Sequence, residues 1–89
     1  MKKGTIQKRL EKANVNKTTS AYNLLKNWLS KEGNDIIRTC WTSGRGRYTS
    51  NMDYTADFER LLTTLRIRYE TGNDSPRGGL TGNYIKILL

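Results

Sequence analysis

The spacing of the apolar residues changes abruptly in the second half of the chain, and this change constrains the fold more than any other feature. Over residues 54–65 the apolar side chains recur at every third or fourth position, which is the period of an α-helix with one buried face. From Leu65 to Glu70 apolar and polar residues alternate strictly, which is typical of a β-strand. The pattern predicts a helix over about 53–65, followed by a strand with almost no loop between them.

The first half of the chain repeats this order of helix and strand. Residues 19–32 carry one apolar stripe, begin with hydroxyl side chains suited to N-capping and stop at Gly33, so they predict an amphipathic helix. Residues 35–42 are β-branched and aromatic and predict a strand. Alternation gives this strand two faces, formed by Ile37, Thr39 and Trp41 and by Ile36, Arg38 and Cys40. Because arginine prefers water, we expect the first face to be buried.

The last part of the chain predicts a hairpin. Residues 72–79 are dense in turn-forming residues, and alternation resumes over residues 83–89. Residues 47–51 are an optional short strand. The predicted fold class is α+β, a small single domain of order α-β-(β)-α-β-β, with a mainly antiparallel sheet packed against two amphipathic helices. A winged helix with Arg77 in its wing is an alternative, but that fold usually places three helices before the hairpin, and only two are predicted.

The segment before the first predicted helix is basic and poor in apolar residues. Ile6, Leu10 and Ala13 follow helical spacing, but three weak anchors barely support a helix of this length. We therefore interpret residues 1–17 as a basic flexible arm that becomes helical on a partner, and residues 18–89 as the single α+β domain.

The positive charge of the chain is segregated in its first half. Residues 1–47 contain eleven lysines and arginines against three acids, whereas residues 48–89 contain five of each. The whole net charge of +8 therefore belongs to the first half. Such asymmetry attracts phosphate backbones, anionic lipid or an acidic protein surface.

The residue inventory excludes most catalytic chemistry. The chain has no histidine, which is the commonest general base and metal ligand, and its one cysteine cannot build a zinc site. We therefore expect no enzymatic activity, no metal and no cofactor. A single cysteine also excludes an intramolecular disulfide, which small secreted domains usually need, so we expect a cytoplasmic protein. No stretch approaches the roughly 20 apolar residues of a membrane span, so no membrane partner is expected.

Two arginine- and glycine-containing segments could bind phosphate. In the segment 44–48, glycine allows close approach of the backbone, Arg45 and Arg47 supply forked donors, and Tyr48 could stack on a base. Arg77, followed by two glycines, repeats the theme. If the first and third strands run parallel, both segments lie at one edge of the sheet. An equally good interpretation is that both segments are ordinary turns whose arginines keep the loop tips soluble.

These features predict a small basic accessory protein that binds nucleic acid, DNA or RNA, through phosphate contacts. The candidate contact residues are Lys2, Lys3, Lys8, Arg9, Lys12, Lys17, Arg45, Arg47, Tyr48 and Arg77. The alternative is a small inhibitor or adaptor, of the phage or mobile-element type, that docks on an acidic protein surface such as the nucleic-acid site of an enzyme.

Overall fold

The computed structural model describes residues 1–43, 54–77 and 80–89, with the backbone alone at 41–43, 76, 77, 80 and 81. The described residues form three helices and a three-stranded antiparallel sheet, which confirms the α+β class. The optional strand at 47–51 lies outside the described residues. The elements are α1 (Lys3–Lys12), α2 (Ser20–Ser30), β1 (Ile37–Ser43), α3 (Thr55–Thr64), β2 (Tyr69–Arg77) and β3 (Leu80–Ile87).

The last strand occupies the middle of the sheet. The strand order is β1-β3-β2, and β3 is antiparallel to both of its neighbours. Ile85 and Ile87 of β3 have no exposed surface, whereas Tyr84 and Lys86, which alternate with them, are partly exposed. The alternation that predicted this strand therefore separates a core face from an outer face.

Side chains from all three helices and from the sheet form one hydrophobic core. Phe58 and Leu62 of α3 and Leu25 of α2 have no exposed surface. The other buried members are Ile6, Leu10, Ala21, Trp28, Ile37, Leu61, Leu65, Ile67, Ile85 and Ile87. The stripes that predicted the two amphipathic helices supply most of the helical part of this core.

The N-terminal segment differs from the flexible arm that the sequence predicted. Lys3–Lys12 form helix α1, and Ile6 and Leu10 are 0% and 3% exposed within the core. A short turn follows, in which Asn16 Oδ1 accepts hydrogen bonds from the backbone N–H and the hydroxyl of Thr18. Two apolar residues are enough to hold α1 because they are completely enclosed by the other elements.

A bulge in β1 changes which residues face the core. The register with β3 shifts between Arg38 and Cys40, so that Ile37 pairs with Ile85 and Cys40 with Asn83. Ile85 and Asn83 are two residues apart and share a face, which places Cys40 on the core side with Ile37. The prediction that Cys40 shares the outer face with Arg38 is therefore wrong, and Cys40 is only 2% exposed.

The bulge also positions the start of α3. Thr39, the extra residue, accepts a hydrogen bond from the backbone N–H of Tyr54 at 3.0 Å. Its hydroxyl lies 2.7 Å from that of Thr55, the first residue of α3. Thr39 is buried, as predicted, but its role is to join β1 to the helix that follows.

The strand predicted over residues 65–70 corresponds to β2, which begins and ends later in the chain than expected. Ile67 N–H donates to Leu62 O at 2.9 Å and Arg66 N–H to Thr63 O at 3.1 Å, which is a Schellman motif closing α3. β2 then runs from Tyr69 to Arg77, through part of the predicted turn. Gly72, Asn73, Asp74 and Arg77 pair with β3 there, with a shift in register between Asp74 and Arg77.

Gly72 shows why turn-forming residues are tolerated in β2. It pairs with Tyr84 of β3, whose ring lies across it. A Cβ atom at Gly72 would lie 2.5 Å from Cζ of Tyr84. Any larger residue at this point of the strand would have to displace the Tyr84 ring, which occupies the space that a side chain would fill.

Arg66 adopts a conformation that glycine prefers. Its φ is 57°, at the position immediately after α3 where glycine is the usual residue of a Schellman motif. We expect Arg66→Gly to raise the free energy of unfolding by up to about 1 kcal/mol, because glycine removes the steric cost of the left-handed region. Chemical denaturation measures this change. Arg66→Ala is the control, since it removes the side chain but keeps the strain; if Arg66→Gly were the less stable of the two, the strain argument would fail.

Candidate nucleic-acid interface

The six basic residues predicted near the N-terminus fall into two groups, and the first group is structural. Lys3 Nζ donates to Lys31 O at 2.6 Å and to Trp28 O at 3.2 Å, and it lies 4.3 Å from the centre of the Trp28 ring. Both acceptors belong to the C-terminal end of α2, where a helix has carbonyls without internal partners. Lys3 therefore caps α2 and joins it to α1.

Arg9 does the same for α3. Its Nη1 atom donates to Leu65 O at 3.2 Å and to Arg66 O at 2.9 Å, at the C-terminal end of that helix. The positive guanidinium is favourable there because the helix dipole is negative at that end. Each of the other two helices, α2 and α3, is thus capped at its C-terminal end by a cation from α1.

The second group faces solvent. Lys8 and Lys12 lie one turn apart on α1, turned away from Ile6, and both are exposed. Lys2 precedes the helix, Lys17 follows it, and both are also exposed. Within residues 1–43, 54–77 and 80–89 no carboxylate forms an ion pair with any of these four lysines, which we call the N-terminal lysines.

A cleft of about 340 Å³ lies where the end of α1 meets the end of α3. Three cationic residues line it, namely Arg9, Lys12 and Arg66, together with Ala13, Thr64 and Leu65. No acid is among these lining residues. Arg66 was not among the predicted contact residues.

The structure tests the arginine–glycine segments only at their described ends. Arg45, Arg47 and Tyr48 lie outside the described residues, and only the backbone of Arg77 is described. Ser43 at the end of β1 and Arg77 at the end of β2 both pair with Leu80. The two strand ends from which these segments continue therefore lie at the same end of the sheet.

The outer face of the sheet carries a cation that already has an acidic partner. Arg38 donates to Asp74 through both terminal nitrogens, one of them at 2.9 Å from Oδ2, and to Gly82 O at 3.2 Å. The hydrogen bond from Arg38 lowers the pKa of the Asp74 carboxyl below its usual value. Arg38 is thus used within the sheet, unlike the N-terminal lysines.

The exposed side of α3 is poorly suited to contact a groove of nucleic acid, as the recognition helix of a winged helix does. Three helices precede the hairpin, as a winged helix requires, and α3 is the one directly before it. Asp57 is exposed on α3 and lies 3.5 Å from Arg60, and Glu59 stands between them in the sequence. Because the two acids outnumber the one arginine, a phosphate backbone would be repelled from this side of α3. Helix α3 is therefore a poor candidate for the contact surface.

Two other kinds of site, a membrane span and a metal site, were searched for in the structure, and the chain was compared with known proteins. In the described part of the chain no helix is long and apolar enough to cross a membrane, and no three histidine, cysteine or acidic residues are grouped as metal ligands would be. Comparison of the chain with models of protein families, with curated proteins and with solved structures finds no match.

Proposed function

We propose that the protein binds nucleic acid through the phosphate backbone and has no catalytic activity. The observation that carries the proposal is the set of four exposed N-terminal lysines without a carboxylate partner among the described residues. They belong to the half of the sequence that holds the whole net charge of +8. Their charge is therefore available to an external anion.

The chemistry of these lysines favours contact with phosphate rather than with base edges. A lysine ammonium is a compact, hydrated point charge on a flexible stem, so it neutralises a phosphate without imposing a fixed geometry. Phosphate contacts position a protein on nucleic acid and carry no direct sequence information. We therefore propose binding that is nearly indifferent to sequence.

A second candidate, a small inhibitor or adaptor that docks on an acidic protein surface, is favoured by a different observation. A groove of about 300 Å³ lies between α1 and α2. Leu10, Tyr22 and Leu29 contribute to its lining, together with one base, Lys26, and one acid, Glu11. A protein partner could use these apolar groups, whereas a phosphate backbone could not.

The dependence of affinity on salt tests the proposal. If about four phosphates are neutralised, the logarithm of the binding constant should fall against the logarithm of the salt concentration with a slope near −3 to −4. Replacing the four N-terminal lysines by glutamine should make the slope much shallower. Fluorescence anisotropy with labelled single-stranded and duplex oligonucleotides of two unrelated sequences measures both effects.

A matched control removes the same charge from elsewhere on the protein. It replaces four basic residues outside α1 and its flanks by glutamine: Lys26, Lys31, Arg68 and Lys86. We expect this variant to retain most of the wild-type slope. A flat salt response of the wild type would rule out phosphate contacts, and binding to one acidic protein without any polyanion affinity would favour the inhibitor.

A further inference from the structure

The cleft between the ends of α1 and α3 brings together cations from distant parts of the chain. Arg9 and Lys12 come from α1, and Arg66 comes from the residue after α3. The hydroxyl-bearing Thr64 also lines the cleft, and no acidic residue does. Three like charges around one opening repel each other, and an anion between them would offset this repulsion by its attraction to all three.

Arg9 is fixed in this cleft before any ligand arrives. Its Nη1 atom is held by two carbonyls, Leu65 O and Arg66 O. The structure gives its remaining N–H groups no acceptor among the described residues. A guanidinium held in this way loses little conformational entropy when its other donors bind an anion.

Arg66 is the residue whose presence the fold does not explain. Its φ of 57° makes it the costlier choice compared with glycine, and its side chain is exposed. A cation near the end of α3 would complement the helix dipole, but Arg9 already donates to the carbonyls at that end. The Arg66 side chain is therefore not required to cap α3.

We infer that Arg66, with Lys12 and the prealigned Arg9, forms a binding site for one phosphate group of a nucleic-acid backbone. The inference rests on the proposed function and identifies a specific contact point within it. An arginine fork matches the oxygens of a phosphate, which explains a side chain at a position where glycine would be less strained. The exposed N-terminal lysines then extend the contact along the strand.

The first experiment separates binding from stability at this residue. Arg66→Gly should melt at or above the temperature of the wild type, yet bind a labelled duplex about three- to tenfold more weakly at low salt. Its slope against salt should be shallower by about 0.9, the contribution of one phosphate on duplex DNA. Arg66→Lys should keep the slope while losing part of the affinity, since it keeps the charge without the fork.

Arg68→Gln is the matched control, because Arg68 is also exposed, lies two residues away and does not line the cleft. It should lose less affinity than Arg66→Gly. If Arg66→Gly binds the duplex as the wild type does, with the wild-type slope still steep, the phosphate site is wrong and the proposed function stands.

A second measurement tests the site without nucleic acid. Titration with inorganic phosphate, followed by amide chemical shifts, should move the signals of Lys12, Thr64 and Arg66 in the wild type. In Arg66→Gly the signals of Lys12 and Thr64 should stay in place. Such shifts in a protein that fails to bind oligonucleotides would support the anion site and overturn the proposed function. Their absence would overturn the site.

Discussion

Leu10→Ala is expected to lower the free energy of unfolding by about 2–5 kcal/mol, a loss comparable to the whole stability of a domain of this size. Leu10 is 3% exposed and belongs to the same core cluster as Ile6 and Phe58. Truncation to alanine removes buried apolar surface and leaves a cavity between α1 and the rest of the core. Urea denaturation followed by circular dichroism measures the change.

Lys8→Ala is the control for this experiment, because Lys8 lies in the same helix and is exposed. It should change the free energy of unfolding by no more than about 0.5 kcal/mol. If Leu10→Ala were as stable as Lys8→Ala, residues 1–17 would be the flexible arm that the sequence predicted, and the packing of α1 would be refuted.

Trp28→Ala is expected to cost about 3–5 kcal/mol, the range for large aromatic residues removed from a core. Trp28 is 3% exposed and its ring is the surface over which the Lys3 ammonium lies. Its indole Nε1–H donates to Asp35 O at 3.0 Å, where the chain leaves α2 for β1. One side chain therefore joins α1, α2 and the approach to the sheet.

Trp28→Phe separates the apolar part of this role from the polar part. It keeps an aromatic ring but leaves Asp35 O without its donor, and we expect a cost of about 1–3 kcal/mol. Thermal unfolding of Trp28→Phe and Trp28→Ala, compared with the wild type, gives the two parts. Equal losses in both variants would show that a phenyl ring cannot replace any part of the indole, and would contradict the expected contribution of aromatic packing.

The sequence predicted the elements whose stability depends on their own apolar pattern. Helix α2 lies within the predicted range 19–32 and α3 within 53–65, because in both the core-facing residues recur at helical spacing. The start of α2 was also recognisable, since Thr19 caps this helix by accepting a hydrogen bond from the N–H of Tyr22. Local pattern and tertiary packing agree in these two segments.

Helix α1 could not be predicted in the same way because its stability comes from distant residues. Lys3 finds its acceptors 25 and 28 residues further along the chain, and Arg9 finds its own 56 and 57 residues away. No local pattern reports such contacts. The sequence therefore assigned all six N-terminal basic residues one expected role, phosphate contact, and could not show that Lys3 and Arg9 also cap other helices.

The bulge and the strand boundaries were missed for a related reason. Alternation predicts the faces of a strand only while the register is unbroken, and one extra residue at Thr39 moves Cys40 to the other side. At Arg66 the alternation of apolar and basic residues continues through a helix end, so pattern alone could not separate the two structures. For this reason the sequence could not predict the cleft that Arg66 lines.

The central position of β3 also determines when the sheet can form as the chain is synthesised. β1 and β2 leave the ribosome first, but each is hydrogen-bonded to β3 and not to the other. Neither can form its ladder until residues 80–87 have emerged, and these residues bring the fully buried Ile85 and Ile87. The nascent chain therefore exposes two strands with unpaired edges until that point, and we expect its folding to follow the synthesis of β3.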